Sequence, residues 1–155
     1  MKPATVQPLT RRSLLILSGS GLVAALAGCR STDLLPTGDE LSEVQTDGAL
    51  PIVNTLRQKK GLAGLARKRE AEVAALIQAK RMARAGKMSH LIGFNDSFLD
   101  RMKSSEVPLP AAENIATGQD SVERAVQAWI DSKKHLDNML GGYQGLGVAV
   151  ARHPS

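Results

Sequence analysis

One cysteine, four aromatic residues and no mostly apolar run longer than 14 residues set the first limits on this chain of 155 residues. A lone cysteine excludes an intrachain disulfide. A run of 14 residues is too short to cross a bilayer as a helix, which takes about 20. The charge is also less one-sided than it looks. Twenty Lys and Arg against 15 Asp and Glu give +5, but Lys2, Arg11 and Arg12 all precede residue 29. Beyond residue 28 there are 17 basic and 15 acidic side chains, a net +2. That gives little support to nucleic-acid binding, which calls for a concentrated basic face. The local cluster of Lys59, Lys60, Arg67, Lys68 and Arg69 has no aromatic residue interleaved, and reads as the solvated side of a helical region. There is no internal repeat.

What is present begins with an address. Lys2, Arg11 and Arg12 form a positive n-region ahead of Leu14 to Ala27, a length that suits a signal-peptide core. Thr10-Arg11-Arg12-Ser13-Leu14-Leu15 looks like a twin-arginine export signal. Leu26-Ala27-Gly28-Cys29 looks like a bacterial lipobox, which predicts cleavage before Cys29 and acylation of its sulfur and new amino group. The alternative is an ordinary signal with a chance cysteine. Arg30, where Asp is the usual inner-membrane retention signal, favours the outer membrane. Residues 1–28 therefore read as the signal peptide. Residues 29–49 read as a lipidated cysteine and a polar, turn-rich tether, too poor in apolar surface to offset its ordering entropy. Residues 50–155 remain for one small domain with one core.

That domain reads as helical for its first two-thirds. Pro51 suits the first turn of a helix running to about Lys60, with Gly61 as its stop. A second helix is predicted from about Lys68 to Ala85, its apolar face carrying Val73, Leu76, Ile77, Lys80 and Ala83, with Ala74 and Ala75, and with Gly86 ending it. Asn95 or Asp96 is expected to cap a short helix through Phe98, Leu99 and Met102. Asp120, with Glu123 at capping-box spacing, is expected to open another. There Val122, Ala125, Val126, Trp129 and Ile130 fall on one face. Trp129 and Met82, Met88, Met102 and Met139 read as core. The strand signals are Asn114 to Thr117 and, better, Leu146 to Arg152. Gly141 to Gly147 superficially suggests a nucleotide loop, but the helix precedes it and the strand follows, so it reads as a helix stop and turn.

Three residues carry the chemistry. His90 closes Gly86-Lys87-Met88-Ser89-His90, Glu113 opens Glu113-Asn114-Ile115-Ala116, and His135 follows Trp129-x-x-Ser132 and leads to Asn138 and Leu140. Two imidazoles and a carboxylate are common metal ligands and proton carriers. Each also has a plain reading: the histidines interacting with the carbonyls at helix ends, and Glu113 bonding nearby amides. Ser132 lies one turn before His135, but no third group completes a hydrolytic triad.

Together with the opening Asn54-x-x-Arg57-x-x-x-Gly61-Leu62-x-x-Leu65, these segments resemble the CAP superfamily, the SCP-like extracellular domain, in its short bacterial form. The resemblance covers about Leu50 to Arg152. It implies an α+β fold, an α-β-α sandwich rich in helix with a small antiparallel sheet. It also implies one cleft holding His90, Glu113 and His135, with Asn114, Ser132 and Trp129 in supporting places. The family's further acid falls between His90 and Glu113, where Asp96, Asp100 and Glu106 stand, Asp100 fitting best. The family continues past the Gly147-Val148 strand into a last strand, whereas this chain stops at Ser155. A sheet with an unpaired edge is therefore expected.

Three functions follow. One is a lipid-anchored, extracytoplasmic module that binds a small molecule, lipid or envelope component in the cleft, with a divalent cation such as zinc on His90 and His135 as an option. Another is a metal-dependent hydrolase acting on envelope polymers or peptides, with Glu113 as general base. The third is an interaction module with a vestigial cleft. No nucleic-acid partner is expected in any of them, and the first reading is preferred.

Overall fold

The computed structural model describes residues 41–94 and 96–153. The signal, Cys29, most of the expected tether and Asn95 lie outside the described residues.

Thr46 decides where the first helix begins. It is fully buried, and its hydroxyl accepts from the Val148 amide at 3.0 Å across 102 positions. Helix α1 (Thr46–Lys59) starts there, ahead of the start expected at Pro51, which lies inside the helix. Strand β1 (Ser42–Val44) precedes it and pairs antiparallel with β4 (Ala149–Ala151), Ser42 opposite Ala151. Residues 41–49, expected in the tether, thus belong to the folded unit. Backbone partners about a hundred residues downstream hold them, and local composition does not reveal such partners. Gly61, at φ +70°, turns the chain after α1 in the left-handed region that glycine tolerates.

Ala49 and Val53 of α1 meet Leu65, Val126, Met139 and Val148 in the buried core, with Leu56, Trp129 and Ile130 packed around them. Asn54 and Arg57, both in the opening motif, fix the loop that follows. The Asn54 amide pairs with both backbone groups of Leu65, at 2.7 and 3.0 Å, as a neighbouring strand would. Arg57 reaches past the helix end to three carbonyls.

Helix α2 (Arg69–Ala85) ends at Gly86, φ +55°, as its sequence indicates. Its orientation differs in part from the expected one, which placed Ala74 and Ala83 correctly. Ala74, Gln78, Ala79 and Ala83 are buried, whereas Val73 and Ile77 are 41% and 43% exposed. The cause is close approach. A Cβ on Gly147 would fall 2.2 Å from the backbone of Ala71 and Glu72, so the backbone just ahead of β4 lies directly on the helix and its inner face must be small. Met88, expected in the core, is 51% exposed, while Met102 and Met139 are buried.

Strand β2 (Ala66–Arg67) pairs in parallel with β3 (Gly145–Leu146), so the strand set holds one parallel and one antiparallel pair. Asn114 to Thr117 joins neither. Helix α3 (Phe98–Ser104) is capped by Ser97, in place of Asn95 or Asp96. Helix α4 (Val122–Ile130) is capped by Ser121, whose side chain accepts from the Arg124 amide, in place of Asp120. Ser132 is the N-cap of α5 (Lys133–Met139), which puts His135 in that helix's first turn and not at the carbonyl end of a helix. Helices with small strand pairs make this a helix-rich α+β fold.

Candidate functional site

Glu113 is the centre of the polar cluster. Its side chain is 15% exposed, and three donors converge on its two oxygens. Arg101 approaches in a fork, Nη1 donating to Oε2 at 2.5 Å and Nη2 to Oε1 at 3.0 Å. His90 Nδ1 lies 2.7 Å from Oε1. The planar guanidinium suits a carboxylate in this two-pronged geometry, which is stronger and more directional than a single contact. Arg101, its side chain 7% exposed, also donates to the His90 carbonyl at 3.0 Å and thereby holds both ends of the pair.

Burial acts to lower the pKa of Arg101. Hydrogen bonding and charge attraction from Glu113, then attraction from Asp96, outweigh it, so its pKa is raised and the guanidinium stays charged. Asp96 is buried. It accepts from the Ile92 amide at 2.8 Å, pairs with Arg81, and lies 3.4 Å from Arg101 Nε. The acid between His90 and Glu113 that joins the cluster is therefore Asp96. Asp100, preferred on sequence, is exposed and engaged with Ser97 at the start of α3, its Oδ2 accepting from that hydroxyl at 2.6 Å.

His135 is tied to the same segment through its backbone. Asn114 Nδ2 donates to the His135 carbonyl at 3.0 Å, and Asn138 Nδ2 donates to Asn114 Oδ1 at 2.9 Å and, more weakly, to the Glu113 carbonyl at 3.4 Å. No hydrogen bond or ion pair joins the His135 ring to His90 or Glu113 among the described residues, and its Nδ1 is buried without a partner. Trp129 Nε1 donates to the Ile115 carbonyl at 3.1 Å, so the core aromatic also positions the segment carrying Glu113. No group of three or more His, Cys, Asp or Glu among the described residues is arranged to hold a metal ion.

Beside this cluster opens a wide cleft of about 1610 Å³, lined by the alanine face of α2, by residues 106–118 including Glu113, and by β4. His90 stands outside it, 46% exposed on its side chain. Arg101 and Arg81 are the site residues the sequence did not reveal, and Asp96 stood only as one of three candidate acids. They match no motif, and their signal is only that of charges beside an apolar pattern.

The CAP family model, described as the cysteine-rich secretory protein family, matches residues 50–155. The uncharacterized protein YkwD of Bacillus subtilis (strain 168) is 33% identical over 106 residues, which is 67% of this chain and 41% of that protein's length. No solved structure matches. On this family match and on the segments that carry Asn54, Arg57, His90, Glu113 and His135, the chain belongs to the CAP family.

Proposed function

We propose that the chain is an exported, lipid-anchored CAP protein of the cell envelope whose domain binds a ligand in its cleft, with no chemistry at Glu113. The observation that carries this is the occupied state of that carboxylate. Both of its oxygens already accept from a buried arginine, and one also meets His90. A general base must have a lone pair free within reach of the proton it takes, and three of the roughly four that a carboxylate offers are taken here, two of them by a guanidinium that also meets Asp96. The cluster serves better to hold Glu113 rigid in the cleft wall than as a reagent.

The n-region and the Leu26 to Cys29 motif support export and anchoring. Among the described residues no helix is long and apolar enough to cross a membrane. Two or more acyl chains give the stable attachment that one does not. Mass spectrometry of the membrane fraction should find acylated Cys29 as the first residue, and Cys29→Ala should release the protein or leave it unprocessed. A soluble protein with an unmodified Cys29 would refute the anchor.

A cation is a second reading, favoured by the unpartnered His135 Nδ1. It requires an imidazole pair to come within a few ångströms, since Zn–N bonds are about 2.0–2.1 Å. A cation at a hundred times its Kd stabilises by about 2.7 kcal/mol, a rise in melting temperature of about 10 °C or more for a domain of this size. The binding-module reading expects no such rise with zinc, calcium or magnesium. A rise abolished by His135→Ala would replace it with the cation reading.

A further inference from the structure

Six of the eleven large apolar side chains that are exposed among the described residues fall between positions 73 and 99. Five of them, Val73, Ile77, Leu91, Phe94 and Leu99, take no part in lining the cleft. Val73, Ile77, Lys80 and Arg84 are spaced i, i+4, i+7 and i+11, which makes them one stripe of α2. Gln78 and Ala79 are buried on the opposite side of that helix, the side turned to the cleft and β4. Whatever pairs with β4 therefore meets the alanine face and not this stripe.

The loop after α2 continues the stripe. Ile77 and Arg81 are i, i+4 neighbours on the helix surface. Arg81 donates to the Ile92 carbonyl at 2.7 Å and pairs with Asp96, which seats the loop beside Ile77. Gly93, at φ +95°, turns the chain, and Phe94 after it is fully exposed. The charge here is mostly of one sign. From Val73 to Asn95 the chain has no Asp or Glu, but it has Lys80, Arg81, Arg84 and Lys87. Arg81 is engaged with Asp96, whereas Lys87 is exposed, and an exposed Lys103 follows Leu99 by one turn of α3. The nearest exposed acids are Glu70, next to Arg69 where α2 begins, and Asp100, which Ser97 engages.

We propose that this face rests on the surface of an anionic bilayer. Val73, Ile77, Leu91, Phe94 and Leu99 meet the boundary of the acyl chains, and Lys80, Arg84, Lys87 and Lys103 lie among the headgroups. Exposed apolar side chains set among cations, with few acids, are what binding in the plane of an interface requires. Long lysine and arginine stems cover apolar surface while their charged ends reach the phosphates. A protein partner would have to match both a helix stripe and a protruding loop in shape, whereas a bilayer has no fixed relief to match. The face is separate from the cleft and does not depend on what the cleft binds. The anchor proposed at Cys29 would favour it, because the twelve steps from Cys29 to Leu41 span at most about 40 Å.

The test uses the full chain carrying Cys29→Ser, which has no other cysteine and cannot be acylated there, so it holds whether or not the anchor does. Leu91→Cys in that background is labelled with the environment-sensitive fluorophore NBD and mixed with phosphatidylcholine vesicles, with or without phosphatidylglycerol. The emission should shift to the blue and saturate with the anionic vesicles only. A label at Thr55→Cys, exposed on α1, should not shift. The half-saturating lipid concentration should rise about twentyfold in the double variant Lys80→Gln, Lys87→Gln, roughly fivefold for each charge lost. It should rise about tenfold in Phe94→Ser, which should melt at an unchanged temperature because Phe94 packs on nothing. No shift at Leu91 would overturn the proposal. So would equal shifts at both labels, which would mean that the apolar segment Leu14 to Ala27 inserts by itself. Half-saturation unmoved by the lysine and phenylalanine variants would overturn it too, and an equal response to polyglutamate would replace the bilayer with an acidic polypeptide. An unacylated Cys29 in the native chain, with the Leu91 shift retained, would refute the anchor and support the face.

Discussion

Replacing Arg57 by methionine is expected to lower the unfolding free energy by about 3 kcal/mol. Arg57 is 2% exposed, and no carboxylate is paired with it among the described residues. Its Nε donates to the Ala63 carbonyl at 2.8 Å, and its Nη1 to those of Met139 and Gly141 at 2.9 and 2.8 Å. Two of these carbonyls lie at the end of α5, where unsatisfied oxygens and the helix dipole both favour a cation. Charge-assisted hydrogen bonds contribute about 1.5–3 kcal/mol each, and relief of the buried guanidinium's desolvation cost offsets part of their loss. Arg57→Lys keeps the charge but not the fork, and should recover less than half of the deficit. Urea unfolding with an unchanged m-value measures this. A loss under about 1 kcal/mol would mean that water replaces the three bonds.

Trp129→Ala should cost more, about 3–5 kcal/mol for a large aromatic removed from a core. Trp129 packs against the core cluster that includes Ala49, Val53 and Val126, and its indole also holds the Ile115 carbonyl. Trp129→Phe separates the two effects. It retains most of the packing and drops the hydrogen bond, worth about 1 kcal/mol. Because Ile115 lies two residues from Glu113, the loss should also appear as faster amide exchange through Asn114 to Ala116. A change below about 1 kcal/mol for the alanine variant would remove Trp129 from the core.

What the sequence shows best here is what local chemistry fixes. Gly86 ends α2 where the apolar pattern stops, because the left-handed turn there suits glycine. The stripe of α4 buries Val126 with Trp129 and Ile130 around it, as its spacing requires. What it hides depends on distant partners. Thr46 starts a helix because Val148 binds its hydroxyl, so the domain begins before Leu50. Val73 and Ile77 look like core residues but face outward, since Gly147 presses on the other side of their helix. Asn114 to Thr117 forms no strand because side chains, not a ladder, take the Ile115 carbonyl and that of Glu113 just before the segment. In the candidate site, His90 and Glu113 carry recognisable surroundings. Arg101 and Asp96 do not, because an ion pair has no required spacing in a chain whose loops set the geometry.

The bond between Thr46 and Val148 has a consequence for timing. Closing a loop of that length costs about 4 kcal/mol in chain entropy, and until Val148 exists nothing offsets it. At about 5–20 residues per second, a ribosome needs roughly 5–20 s to travel from the first residue to the second. Throughout that interval β1 has no neighbour, and the inner side of α1, with Ala49 and Val53, has not met Val148. Until Val148 and β4 leave the tunnel, the newly made chain therefore has neither a partner for β1 nor a complete core.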